Sequence, residues 1–326
     1  MATAEQSVLE RVNRAPCCGA ENVPVFLSGL RDLLTTTSPG GTFSLRHCAA
    51  CDVVYVDPRP SAEKLQLYYP EAEYMPLPSI PKRRRAGLVK RSLMAIMSWP
   101  YTVRFGPASL QLTPNVPGAS LLDVGCGRGE MMEQMAARGW DVYGCDIASG
   151  KIASIAAALG SDRVQCGAFE EIDFPTSSFD AITMWHVIEH FPDPYRALRK
   201  VYGLLRPGGR LVVGTPNWDC LEARLFRRFW AGFDAPRHLI VFSTKSLCRA
   251  LKDAGFEVSG VRPSLWPNFV SESTVLALTG FLNVRLWNSR WSRALHYLLF
   301  PFAGLSRALG NRSIIEVTAR KPELLT

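Results

Sequence analysis

The stretch LLDVGCGRG, residues 121–129, limits what this chain can become more than any other feature. A short apolar run ends at Asp123, and glycines then stand at 125, 127 and 129 before GEMMEQMAARG takes up helical spacing and stops at Gly139. Glycines in that pattern let the backbone turn sharply and let a ligand approach the amides of a helix N-terminus. A buried strand feeding such a turn and then a helix opens a βαβ unit.

The alternation continues. DVYGCD reads as a second strand with SGKIASIAAALG as its helix, and RVQCGAF as a third strand. FDAITMWHV is a fourth, with DPYRALRKVYGLL as its helix and RPGGR as the closing turn; RLVVGTP is a fifth, followed by the helical STKSLCRALKDAGF. EVSGVRP and IIEVTARKP bring the strands to seven. Strands alternating with helices imply an α/β fold with a mostly parallel sheet and right-handed crossovers. No helical pattern lies tight between the last two strands, so they are expected to pair as an antiparallel hairpin whose connection is expanded into an apolar helical insertion at 264–313.

The loop is G-x-G-x-G, not the G-x-G-x-x-G of dinucleotide sites, and Glu130 just inside the helix would repel a pyrophosphate. The ligand is therefore expected to be less anionic than a dinucleotide. Asp146, ending the second strand, is placed to accept hydrogen bonds from ribose hydroxyls. With these residues in place, the stretch 119–262 resembles the class I S-adenosylmethionine-dependent methyltransferase domain. DVGCGRGE is similar to its first motif, GCDIAS to its acidic ribose position and LLRPGGRLVVGTPN to its late strand motif. The resemblance implies a Rossmann-like seven-stranded sheet, mostly parallel with an antiparallel last strand, and S-adenosyl-L-methionine as cofactor. It also implies Gly125 and Gly127 against the amino-acid part of the cofactor, Asp146 on the ribose, and Ala168 with Phe169 beside the adenine. Asp123, Cys126, Gly129, Ile147, Trp185 and His186 complete the candidate cofactor-binding set.

WHVIEHFPDP, residues 185–194, falls at the C-terminal end of the fourth strand, where doubly wound sheets place their ligands. The stretch resembles the ubiquinone-type O-methyltransferases and related small-molecule enzymes, several of which carry a Glu-His pair here. Some of those hold a divalent cation with an upstream Glu; in this chain the upstream position is His186. Two imidazoles and a carboxylate would suit zinc or another transition ion better than magnesium. The alternative is that Glu189 and His190 hydrogen-bond the loop. A hydroxyl acceptor must also lose a proton, and histidine is suited to take it. His190 and His238, the latter in AGFDAPRHLIVFS, compete for that role, with Glu189 as a third candidate catalytic residue and a structural histidine as the alternative for either imidazole.

Residues 1–75 have a different texture, with short β-like runs, many prolines and paired cysteines; residues 76–118 read as a basic helical linker, and 119–326 as the methyltransferase domain. Cys48 and Cys51 form C-x-x-C, and Cys17 and Cys18 precede Gly19. The segment resembles the small zinc-binding ribbon that precedes some bacterial methyltransferase domains, including sugar methyltransferases, which implies a structural zinc on Cys18, Cys48 and Cys51. One knuckle departs from the pattern, with Ala15 where a cysteine is wanted and adjacent thiols instead. The alternative is a metal-free ribbon held by Val53, Tyr55 and Val56.

Nine cysteines, an odd count, suit free thiols in a reducing compartment, and the N-terminus carries no apolar leader; a cytoplasmic address is expected. The net charge of +8 favours an anionic partner. Basic residues cluster at Lys82, Arg83, Arg84, Arg85, Lys90 and Arg91 and again at Arg224, Arg227 and Arg228, beside Trp, Phe and Leu. That mixture resembles interfacial segments, so contact with the inner face of a membrane is expected. STVLALTGFLNV and HYLLFPFAGL are too short to span a bilayer and read as lid or interfacial helices. The expected activity is methyl transfer from S-adenosylmethionine to a small-molecule acceptor, an oxygen on a lipophilic, lipid-linked or sugar-type substrate. RNA methylation is the alternative enzyme reading, although no RNA-binding signature or N-P-P-Y-like motif is present, and an inactive cofactor-binding scaffold is the non-enzymatic one.

Overall fold

The chain folds into two units, one of residues 1–104, 217–241 and 265–313, the other of 105–216, 242–264 and 314–326. The computed structural model describes residues 8–35, 37–70, 111–147, 159–264, 269–282 and 312–323, with scattered positions inside 152–157 and 289–299. The division is not linear: 217–241 and 265–313, which a reading along the chain groups with 119–326, belong with the N-terminal segment.

In the first unit, β1 (Leu9–Glu10) pairs with β5 (Arg59–Pro60), and β2 (Val25–Leu30), β3 (Phe43–Cys48) and β4 (Val53–Asp57) form an antiparallel meander. Every residue of β4 is buried, whereas β2 is an exposed edge. Phe43, Leu45, Val54, Val56 and Tyr68 pack there with Trp230, Phe233 and Val241.

The second unit contains β6 (Ser120–Val124), β7 (Asp141–Asp146), β8 (Val164–Cys166), β9 (Phe179–Trp185) and β10 (Leu205–Pro216). Along the chain follow β11 (Ile240–Phe242), which extends the first sheet beside β4, and β12 (Glu257–Pro263) and β13 (Ile314–Arg320). The large sheet has the order β12-β13-β10-β9-β6-β7-β8. All its pairs are parallel except those of β13, which runs antiparallel to both β10 and β12. The expected seven strands and the antiparallel hairpin are both present. Central strands buried on two faces are near-continuously apolar, as LLDV, AITM and LVVG are.

The helices of this unit follow local rules. Helix α1 (Glu130–Ala136) buries Met131, Met132 and Met135. Pro194 opens α2 (Pro194–Leu204), whose N-cap Asp193 accepts from the Arg196 amide at 2.9 Å. After α3 (Leu221–Phe226) of the first unit, α4 (Thr244–Asp253) begins in a Ser243/Ser246 capping box. RPGGR, read as a turn, is drawn into β10, with a register shift between Leu205 and Arg210. Helix α5 (Val270–Leu282) lies in the insertion. Much of the expected SGKIASIAAALG helix, the basic cluster at 82–91, most of the 76–118 linker and most of HYLLFPFAGL lie outside the described residues. Among the described residues no helix is long and apolar enough to cross a membrane.

Candidate active site and metal centre

In the large sheet the strand order reverses at β6, which pairs with β7 on one side and β9 on the other. The crevice at the C-terminal ends of such neighbours is where open α/β sheets bind ligands. Val124 lies opposite Met184, so the glycine loop after β6 and the WHVIEH stretch after β9 emerge side by side.

Gly125, Gly127 and Gly129 adopt φ of 71°, 58° and 79°, the left-handed region that favours glycine. The Gly125 and Cys126 amides both donate to the Cys145 carbonyl, at 2.8 and 3.0 Å, and the Gly127 amide donates to Asp146 Oδ2 at 2.9 Å. The loop is thereby tied to the end of β7. A Cβ on Gly125 would come 2.1 Å from Val187 Cγ2, so this glycine lets the two loops touch. A Cβ on Gly127 would meet nothing within 4 Å, so the space beside it is an open cradle. Under the loop, Thr183 Oγ1 donates to Asp123 Oδ1 at 2.7 Å. Burial pushes the Asp123 carboxyl up to about 7, the Thr183 hydrogen bond pulls the other way, and the Asp146 charge adds to the rise.

At the stretch expected beside an adenine, the Asp146 carbonyl accepts from the Gly167 amide at 3.1 Å, and Ile147 is exposed. The Ala168 carbonyl accepts from the amides of Glu171 and Ile172, and Phe169 is buried with its ring centroid 6.0 Å from that of Phe191. Lys200 on α2, a residue the sequence did not single out, donates from Nζ to the carbonyls of Phe169, Glu170 and Ile172 at 2.7, 3.2 and 2.5 Å. It gathers the turn that carries Ala168 and Phe169.

The opening of WHVIEH is built tightly. The Trp185 ring lies where a Cβ on Gly214 would be, 2.1 Å from that position. His186 sits at φ 52° and its amide donates to the Gly214 carbonyl at 2.8 Å. Its Nδ1 lies 3.1 Å from Glu189 Oε1, and Thr215 Oγ1 donates to Glu189 Oε2 at 2.9 Å. Glu189 is fully buried and His186 is 27% exposed. Both oxygens of the Glu189 carboxyl are thus engaged, one by the His186 ring and one by the Thr215 hydroxyl. His190 is half-buried in the same turn, with its amide on the Val187 carbonyl at 3.0 Å.

His238 belongs to the first unit and is buried, its Nδ1 donating to the Gly232 carbonyl at 2.8 Å. Its neighbour Arg237 is completely buried. The Arg237 guanidinium meets Asp32 at 2.9 Å through Nη1 and Nη2, Asp234 at 2.5 Å through Nη2, and the Tyr68 carbonyl at 3.1 Å. Burial lowers the pKa of such a group, but the two carboxylates more than offset that and hold it charged. Asp32 additionally accepts from the Leu34 and Thr35 amides.

The four sulfurs of Cys17, Cys18, Cys48 and Cys51 lie within 4.8 Å of one another. Cys18 Sγ is 3.9 Å from Cys17 Sγ and 3.7 Å from Cys48 Sγ. Tetrahedral zinc, with Zn–S near 2.3 Å, sets its sulfurs about 3.8 Å apart, so the donor set fits. Cys17 and Cys18 lie in a tight turn in which Gly19 donates to the Ala15 carbonyl at 2.8 Å, and the Cys17 sulfur lies among those of the three expected ligands.

A family described as a methyltransferase domain matches residues 102–259. The ubiquinone biosynthesis O-methyltransferase of Idiomarina loihiensis is 38% identical over 110 residues, covering 32% of this chain and 45% of that protein. The enzyme of the same name from Xanthomonas campestris pv. campestris is 39% identical over 108 residues, covering 31% and 45%. The chain thus spans under half the length of the curated relatives it matches. The solved geranyl diphosphate C-methyltransferase of Streptomyces coelicolor A3(2) is similar with a TM-score of 0.48 and 17% identity, over 74% of this chain and 86% of that one.

Proposed function

Residues 102–259 are a methyltransferase domain of the class I, S-adenosylmethionine-dependent kind, and from that premise we propose that the chain methylates an oxygen of a small, lipophilic, lipid-linked or sugar-type acceptor. The observation that carries the reading is the glycine loop tied to Asp146 at the switch point, beside the His186–Glu189–Thr215 chain. The open cradle at Gly127 fits the amino-acid part of the cofactor, the Asp146 carboxylate its ribose, and the turn gathered by Lys200 its adenine. When bound, S-adenosylmethionine supplies a sulfonium methyl group for in-line displacement by the acceptor. The chain's tasks are alignment, exclusion of water and removal of the acceptor's proton. We assign that proton to the His186 imidazole, in place of His190 or His238 and of the cofactor contact expected of His186, with Glu189 as the group that orients the ring. The O-methyltransferase names of the relatives support oxygen as the accepting atom. Exposed apolar side chains of the first unit such as Leu225 and Phe281, beside the exposed Arg227 and Arg228, support contact with a membrane surface.

The test is incubation of the purified chain with methyl-labelled S-adenosylmethionine and separate membrane-lipid and soluble extracts. Label is expected in the lipid fraction. Label confined to soluble metabolites removes the lipophilic acceptor, and calorimetric cofactor binding with label in neither fraction removes the enzyme reading.

The four-thiol cluster we read as a structural zinc site. One zinc per chain is expected by elemental analysis, lost on Cys48→Ser or Cys51→Ser. Chelation is expected to lower the unfolding midpoint by about 10 °C or more, since even a ~3 kcal/mol share of the free energy of a structural zinc moves a domain that far. Midpoints that coincide with and without chelator would assign the cluster's stability to its apolar neighbours alone.

A further inference from the structure

One face of the first unit carries a groove of about 680 Å³ lined by Phe26, Leu225, Phe229 and Phe281, with Arg227 and Arg228 at the same site. It is built from the edge strand β2, the end of α3, the turn 227–229 and the last turns of α5. Gly280 makes the approach possible, because a Cβ there would come 2.5 Å from the Phe229 ring, and the rings of Phe229 and Phe281 stand 5.0 Å apart.

The rim is the unusual part. Leu225 is 71% exposed, Phe281 75% and Leu282 61%. Scattered exposed apolar residues are ordinary, but a contiguous set around an apolar groove marks an interaction surface. Arg227 and Arg228 are exposed beside it, and among the described residues neither forms an ion pair, whereas nearby Arg224 is engaged by Asp219 at 2.7 Å. The turn that carries them leaves the helical path at Arg227, whose φ is 49°, in the left-handed region that a residue with a Cβ seldom adopts. It therefore holds the two guanidinium groups next to the apolar rim instead of continuing α3.

Two cations beside inserted aromatic and leucine side chains complement a surface that is anionic at its boundary and apolar below. A second copy of the same face would oppose arginine to arginine. We propose that this face docks on an anionic phospholipid bilayer, with Leu225 and Phe281 entering the acyl boundary and Arg227 and Arg228 at the level of the phosphates. The assignment deepens the lipophilic-acceptor reading by naming the surface, and it stands or falls independently of methyl transfer.

The experiment is co-sedimentation of the full chain with vesicles of phosphatidylcholine alone and of phosphatidylcholine mixed with phosphatidylglycerol. Binding is expected only to the mixed vesicles and to weaken as salt is raised. The Arg227→Glu, Arg228→Glu double variant is expected to bind at least about 25-fold more weakly, since each arginine near such a surface contributes about 1 kcal/mol, or roughly fivefold. Leu225→Asp with Phe281→Asp is expected to abolish binding. Unfolding midpoint and cofactor affinity, measured on every variant, are expected to stay at the wild-type value. Equal binding to both vesicle types, no binding by the wild type, or variants that bind like the wild type would each overturn the proposal. A concentration-dependent dimer that Phe281→Asp dissociates would overturn it in favour of a second copy. Docking without label transfer into lipid sinks the lipophilic acceptor and leaves the docking surface standing.

Discussion

Replacing His186 with alanine is expected to lower kcat for a hydroxyl acceptor by about two to four orders of magnitude, the usual contribution of a positioned general base. Cofactor affinity should change little. The expectation rests on three features together: an imidazole at a strained positive φ of 52°, a fully buried carboxylate on its Nδ1, and a threonine hydroxyl on the other carboxylate oxygen. A non-glycine residue at positive φ at the end of a central strand is the kind of outlier that motivates a functional hypothesis. Glu189→Gln would keep the size and remove the carboxylate that orients the ring, so a smaller loss of about tenfold to a hundredfold is expected. The decisive readout is kcat at saturating cofactor for each of the three single variants. His186→Ala should show the loss, and His190→Ala and His238→Ala should keep wild-type turnover. Wild-type turnover by His186→Ala, with the loss in either of the other two instead, would move the base to that residue.

The ligand-free chain should lose stability between about pH 4 and pH 7, and Asp123 should account for on the order of 4 kcal/mol of that loss. Burial raises its carboxyl from the usual 3.8 to about 7. Between those values the folded state holds a proton that the unfolded state has released, so folding is favoured by acid. The contribution is complete below the unfolded value and is lost as pH rises through the folded one. Asp123→Asn keeps an acceptor for Thr183 Oγ1 and removes the charge. Its stability is therefore expected to match the wild type near pH 4 and exceed it at pH 8. Urea unfolding of both proteins across that range is the measurement. Parallel curves would mean that Asp123 ionises in the folded state as easily as in the unfolded one.

Much of this site was legible from the chain because its signals are local. A buried parallel strand must be apolar and a loop at positive φ favours glycine, so LLDVGCGRG announced both the strand and the turn. The helical stretches DPYRALRKVYGLL and STKSLCRALKDAGF likewise announced α2 and α4, which the structure opens on Pro194 and on the Ser243 cap. The role of Lys200 was not legible, because three carbonyls some thirty residues upstream leave no trace in the periodicity of α2. Cys17 was passed over for a similar reason. Adjacent thiols look incompatible until the fold sets both sulfurs within 4.8 Å of those of Cys48 and Cys51.

Residue types and spacing alone determined the α/β alternation, the seven strands, the glycine loop and its acidic partner Asp146, since each depends on strand or helix period or on a backbone angle within a few residues. Only the tertiary structure decided that Arg237 would be neutralised by Asp32, 205 positions away, that Val187 would lie over Gly125, and that residues 217–241 would join the N-terminal unit. Those contacts depend on where the chain reverses and which strand edges it meets. No local pattern encodes them, because the free energy that selects them arises only when both partners leave water together.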